Sequence, residues 1–294
     1  MVKRIISVII ASALLIPASA QSKVQKCSMQ SAILGVEKEY VVYLPSGYDP
    51  EGDRTYPVLY LLHGLGGCCT TWTENYDLKS IADRRIKSGF SIPMIIVMPD
   101  AGGVLENHKG DNVGYVNRED WRYEDYFFEE LIPEIESRFR AAPGRRAVSG
   151  LSMGGAASVI YAMHRPECFV CSCPMSSRVE GTPDHAPGTG GDSEAFYAYS
   201  RDNNMVEYLR SQSPERQALI GQVRWYLDCG SSDSLLPGNM HLYELMRTLR
   251  FPCAELRVRE GSHKADYWRT SLPEVMTFVS VAFALGTAGD EVPF

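Results

Sequence analysis

The feature that most restricts the fold of this chain is a set of short apolar runs with few charges. They are VLYLLHG (58–64), MIIVMPD (94–100), CFVCSC (168–173) and RWYLDCG (224–230). EYVVYL (39–44) and ELRVREG (255–261) instead alternate polar with apolar residues. A strand that is apolar at nearly every position has both faces covered, the mark of a parallel sheet between helices. Helical patterns fill the gaps, over 76–88, 121–139, 239–250 and 269–284. In WRYEDYFFEELIPEIESRF (121–139), Tyr123, Phe127, Leu131, Ile135 and Phe139 recur at every fourth residue. Pro133 removes one backbone donor there, so a kink or a restart is expected. No internal repeat or linker interrupts the pattern. The expectation is one α/β domain over 21–294, a doubly wound, mostly parallel sheet with helices on both faces.

Residues 1–20 stand apart. Lys3 and Arg4 precede IISVIIASALLIP, and Ala18-Ser19-Ala20 follows. This is the layout of a secretory signal peptide, with a mature chain starting near Gln21. The apolar run is shorter than the ~20 residues a spanning helix needs, and no cysteine follows the cleavage site to carry a lipid. The protein is expected to be exported, periplasmic or extracellular, with no membrane span. Eight cysteines (Cys27, Cys68, Cys69, Cys168, Cys171, Cys173, Cys229 and Cys253) then invite disulfides. They allow roughly a hundred pairings, and the sequence does not choose among them. The alternative is that several pack as small hydrophobes. Cys171 and Cys173, two apart in a strand-like run, share a face there. Spaced Cys/His sets of the zinc type are missing, so no metal and no cofactor is expected. The net charge of −7 and the scattered Lys and Arg argue against a nucleic-acid partner. SRVEGTPDHAPGTGGDSEAF (177–196) is polar, aperiodic and rich in Gly, Pro and Asp, and it reads as part of a loop insertion around 177–222. Such a loop is either functional or a tolerated surface excursion.

RRAVSGLSMGGAASVIYAM (145–163) contains Gly150-Leu151-Ser152-Met153-Gly154. The bare Gly-x-Ser-x-Gly pattern is weak, and its meaning depends on a strand, a sharp turn and a helix around it. RRAV follows the turn Ala142-Pro143-Gly144, and Gly154, Gly155, Ala156 and Ala157 open a helix that reaches Met163 and stops before Pro166. Small residues there let the helix pass close to the sheet, so Ser152 is expected to be a nucleophile rather than a structural serine. A serine hydroxyl needs a base. Of the six histidines, His63, His108, His164, His185, His241 and His263, the last follows ELRVREGS just beyond a strand's carboxyl end. Catalytic groups gather at that edge, in the chain order serine, acid, histidine. Two acids lie between, Asp228 and Asp233 in WYLDCGSSDSLLPG. Asp233, in the loop beyond the strand, can reach imidazole Nδ1 and is preferred. Asp228 reads as a buried carboxylate bonded to backbone amides. The amide of Met153 is the first expected oxyanion donor. The second comes from LLHGLGGCCTTW (61–72), where Leu65 is chosen. That loop matches neither common phosphate-binding glycine pattern.

LPSGYDPEGDRTYPVLYLLHGLGG, YFFEELIPEIESRF, GLSMGG, LDCGSSDSLL and GSHKADYW occur here in the order found in the esterase D-like group of α/β-hydrolases. The chain resembles that group over roughly 35–280. The group includes feruloyl and acetyl-xylan esterases, S-formylglutathione hydrolases and mycolyltransferases. The resemblance implies an α/β-hydrolase fold with Ser152 as nucleophile, Asp233 as acid, His263 as base and backbone donors at Leu65 and Met153. One departure is Ala265, where relatives often carry tryptophan; Trp268 is kept. Export and resemblance together imply a serine esterase acting on feruloyl or acetyl groups of plant cell-wall polysaccharide. Tyr115, Trp121 and Trp268 are expected to contact the substrate. Tyr123, Tyr197 and Tyr199 are further ring candidates, although packing at a helix start is the preferred reading of Trp121 and Tyr123. The alternatives are a general small-ester esterase, an acyltransferase, and a non-catalytic carbohydrate-binding protein of the same fold. The chemistry of formylglutathione belongs with cytosolic thiols and is disfavoured by export.

Overall fold

The structure, a computed structural model, describes residues 21–102, 114–179 and 204–287. The signal-peptide-like segment lies outside them. The strands are β1 (Lys23–Gln30), β2 (Glu37–Leu44), β3 (Tyr56–Leu62), β4 (Ile95–Pro99), β5 (Asn117–Arg118), β6 (Trp121–Arg122), β7 (Ala141–Leu151), β8 (Cys171–Met175), β9 (Arg224–Gly230) and β10 (Ala254–Arg259). β5 and β6 form a small ribbon. The other eight strands make one sheet in the order β1-β2-β4-β3-β7-β8-β9-β10. β2 runs antiparallel to both its neighbours, β1 and β4, and every other neighbouring pair in this sheet is parallel.

Every residue of β3 and β4 is buried. The reason is the pleat: neighbouring side chains enter opposite cores, and both cores are filled. Val58, Tyr60 and Leu62 join Val42, Val97 and Val148 on one face. Leu59 and Leu61 join Val41, Ile96 and Ala147 on the other. α1 (Thr71–Glu74), α2 (Leu78–Lys87) and α9 (Ala265–Leu285) cover the second face. The first is covered by a helical rod, by α5 (Met153–His164), α6 (Met205–Ser211) and α7 (Pro214–Ile220), and by α8 (Leu236–Thr248).

The rod runs from α3 (Tyr123–Asp125) through a π-helical stretch, Tyr126–Leu131, into α4 (Ile132–Arg138). The restart expected at Pro133 is found, since proline stands in the first turn of α4 where no donor is required. The π stretch also explains the four-residue spacing. A π turn takes more residues than an α turn, so a stripe spaced wider than 3.6 stays on one side. Tyr123, Phe127, Leu131, Ile135 and Phe139 are all buried.

Three features depart from the sequence reading. β1 carries no clear alternation, with only Cys27 buried, yet it pairs along its whole length with β2 at the sheet edge. The expected loop insertion is helical over its described second part. Asn204 caps α6 by accepting from the Val206 and Glu207 amides at 3.1 and 3.0 Å. Ser213 caps α7, with Pro214 in its first turn. Val206 and Leu209 bury against the sheet-side core, which a surface loop has no means to do. All eight cysteines are free thiols, so the disulfides they invited are not formed. Cys171 and Cys173 share a face in one core, as their spacing implies.

Candidate active site

β4 lies on one side of β3 and β7 on the other, so the loops leaving β3 and β7 diverge at a switch point where open α/β sheets hold their ligands. β3 feeds His63-Gly64-Leu65-Gly66-Gly67. β7 feeds Ser152, with Leu62 and Gly150 side by side in register. Ser152 has φ 54° and ψ −112°, a conformation L-residues avoid unless their surroundings enforce it. Two bonds enforce it: Ser152 N donates to Met175 O, and Ser152 O accepts from Ala156 N, both at 2.9 Å. A Cβ at Gly150 would stand 2.5 Å from the Gly154 backbone, and one at Gly154 would stand 2.5 Å from Leu62 O. Both positions therefore need glycine, and α5 can press its N-terminus against β3 with Met153 leading.

His263 Nε2 lies 2.9 Å from Ser152 Oγ. On its other side, His263 Nδ1 lies 3.0 and 3.2 Å from the Asp233 carboxylate oxygens. An ionised carboxylate only accepts, so Nδ1 carries the proton and Nε2 is free to accept from the serine hydroxyl. The loops bearing acid and base are tied together. Ser231 N donates to Arg259 O at 2.7 Å and Ser232 N to Gly261 O at 2.8 Å. A Cβ on Gly230 would stand 2.5 Å from Gly261 O, so glycine permits that closeness. Burial pushes the Asp233 carboxyl up, but hydrogen bonds from His263, the Leu235 amide and Ser176 outweigh it and hold it below the usual carboxylate range.

Asp228, the other acid considered, points away from His263. It is fully buried and takes Arg259 Nη2 at 3.2 Å on both oxygens and Ser271 Oγ at 2.7 Å. Its partners are these side chains rather than the backbone amides expected of it. His164 pairs with Glu124 at 2.8 Å at the far end of α5, His241 is exposed on α8, and His108 and His185 lie outside the described residues.

His63 acts on the loop beside the serine. Ala101 N donates to its Nε2 at 3.0 Å, so the ring proton is on Nδ1, which donates to Gly64 O at 2.8 Å. Gly67 N reaches the same carbonyl at 3.1 Å. With that carbonyl held, the planar trans peptide turns the Leu65 N–H to the opposite side. Gly64 abuts the elbow, since a Cβ there would lie 3.6 Å from Ser152 Cβ. Burial pulls the His63 imidazole below its ordinary value, which keeps it neutral. The Leu65 side chain is 59% exposed beside this site.

The three aromatics expected to contact substrate do not present open faces. Tyr115 is fully buried; its hydroxyl takes the His63 amide at 2.8 Å, and its ring meets Tyr123 edge-on at 5.5 Å. Trp121 is buried with the Lys38 ammonium 5.6 Å above its ring. Trp268 is buried beside His263, ring centroids 4.8 Å apart and planes at 89°. An aromatic at a loop end reads alike whether it faces a ligand or the core, because only packing decides the side. Tyr123 is buried too, and Tyr197 and Tyr199 lie outside the described residues. Sequence reasoning passed over Ser176, which follows β8 with φ 46° and takes the Trp268 indole N–H at 3.0 Å. Its one sequence signal was its place at a strand's carboxyl end. Among the described residues no group of His, Cys, Asp or Glu suits a metal ion, and no helix is long and apolar enough to cross a membrane.

This sheet order, with a strained serine between β7 and α5, is that of an α/β-hydrolase. A family model described as "Putative esterase" matches residues 31–279, and the chain belongs to that family. A solved structure titled ferulic acid esterase superposes with a TM-score of 0.81 at 33% identity, covering 90% of this chain and 99% of the other. An endo-1,4-beta-xylanase/feruloyl esterase of Xylanibacter ruminicola is 36% identical over 151 residues, which are 50% of this chain and 20% of that protein. Esterase Rv1288 of Mycobacterium tuberculosis is 39% identical over 137 residues, 45% of this chain and 27% of that protein. The matches thus span about a fifth to a quarter of these longer relatives. That family is one of esterases.

Proposed function

We propose that this protein is a secreted esterase that uses Ser152, His263 and Asp233 to remove feruloyl or acetyl groups from plant cell-wall polysaccharide. The observation that carries the chemistry is the unbroken chain of hydrogen bonds from Ser152 Oγ through the imidazole to Asp233. Ser152 attacks the ester carbonyl while His263 Nε2 takes its proton. The oxyanion is held by the Leu65 and Met153 amides. His263 then gives the proton to the departing sugar alcohol, and water, activated by the same imidazole, releases the acid and restores the serine. The acyl and glycan choice draws support from the names of the two feruloyl esterase relatives. Export draws support from the Lys3-Arg4 start, the apolar run and Ala18-Ser19-Ala20.

The test is turnover of methyl ferulate and of acetylated xylan by the mature chain, with fluorophosphonate labelling. Ser152→Ala should lose both turnover and label; a variant that keeps either has another nucleophile. A small-ester deacetylase is a second reading, favoured by the burial of Tyr115, Trp121 and Trp268, which removes an aromatic cradle among the described residues. Turnover of acetylated xylan without methyl ferulate would select it.

A further inference from the structure

Ser176 is fully buried, its φ of 46° lies in the left-handed region, and its amide donates to Asp228 O at 2.7 Å. Its backbone is thereby tied to β9 at the point where the acid loop begins. The Trp268 indole N–H donates to its hydroxyl oxygen at 3.0 Å. An indole only donates, so the serine's own proton must go to another acceptor. The two acceptors of the acid loop on which Ser176 acts are the Asp233 carboxylate and the Cys229 thiol, each of whose pKa it lowers against the upward push of burial. The buried thiol is uncharged and a weak acceptor, whereas a hydrogen bond to a carboxylate is charge-assisted and stronger. The Trp268 ring, meanwhile, stands perpendicular to His263 at 4.8 Å.

We propose that Trp268 and Ser176 are positioning residues that brace the Asp233–His263 pair at both ends. The indole N–H sets the rotor of the Ser176 hydroxyl, that hydroxyl donates to Asp233, and the indole ring fixes the plane of His263. Trp268, expected to meet substrate, instead acts through the triad. The left-handed backbone of Ser176 is what aims its hydroxyl back at the acid loop.

The inference rests on the triad reading above, and the experiment separates the two. Trp268→Phe keeps a ring against His263 and removes the N–H. Ser176→Gly removes the hydroxyl and suits the positive φ, but it leaves the buried Trp268 N–H without its acceptor, so kcat is read below the variant's own Tm. Each should lower kcat for p-nitrophenyl acetate by about threefold to tenfold, the worth of one net hydrogen bond, with KM held within about twofold. The double variant should be no slower than the slower single, because both remove the same relay. Parental kcat in Ser176→Gly overturns the proposal, as do losses that multiply in the double variant. If Trp268→Phe fails to fold, Ser176→Gly decides alone. Activity retained by Ser152→Ala would sink the triad itself; an inactive Ser152→Ala beside a fully active Ser176→Gly sinks only the brace.

Discussion

Asp228 and Asp233 lie five residues apart, both buried, and exchanging each for asparagine should give opposite phenotypes. Asp228 faces Arg259 Nη2 with both oxygens at 3.2 Å and Ser271 Oγ at 2.7 Å. Breaking a buried pair from one side costs about 3–5 kcal/mol. Arg259 keeps 24% side-chain exposure, so water recovers part of this, leaving about 2–3 kcal/mol. In a domain of this size that lowers Tm by about 5–10 °C. Neither oxygen of Asp228 touches His263, so kcat of the folded variant should stay within about tenfold of the parent. In Asp233→Asn the shape is kept, but the amide can turn its N–H toward His263 Nδ1. The ring then takes the other tautomer, and Nε2 donates to Ser152 when it should accept. On serine-triad precedent kcat falls by ~10⁴, about 5.5 kcal/mol of barrier, and stability falls only by what the depressed Asp233 carboxylate supplied. Urea denaturation followed by tryptophan fluorescence, together with p-nitrophenyl acetate turnover, reads both quantities. A folded Asp228→Asn without activity, beside an active Asp233→Asn, would show the acid to be misassigned.

Gly154→Ala should destabilise by about 1–3 kcal/mol or more and slow turnover, because its Cβ would press on Leu62 O at 2.5 Å and His63 O at 2.6 Å and lift α5 with Met153; a urea midpoint and kcat check it. Tyr115→Phe should cost about 1–3 kcal/mol by stranding the buried His63 amide, and should lower kcat more than it raises KM across an acyl panel; a selective KM rise for aromatic acyl groups would return Tyr115 to substrate contact. Stability should also decline in acid in two windows. The buried His63 has a lowered folded pKa, so the unfolded chain binds a proton the native chain does not, and stability is lost as pH falls below about 6.5. Asp233 is depressed as well, so its contribution is full above about 3.9 and fades below, and a Tm–pH series on the parent and on His63→Leu separates the first window from the second.

Local pattern was enough for the α/β class, because a strand buried on both faces must be apolar throughout, and VLYLLHG and MIIVMPD are legible one residue at a time. It was enough for the elbow too, since Gly150 and Gly154 answer to steric contacts within a single strand–turn–helix unit. Asp233 and His263 could be chosen because each follows a strand's carboxyl end, where the topology collects side chains. What the sequence could not settle depends on contacts between segments far apart in the chain. Asn204 and Ser213 cap α6 and α7, yet neither helix stands out until its apolar face finds a core. β1 exists only because β2 offers it an edge. The same aromatic signal leads Tyr115 beneath the His63 loop, Trp121 onto Lys38 and Trp268 against His263 and Ser176. Residue type sets what a side chain can donate, accept or bury, and only the folded chain decides which partner stands opposite it.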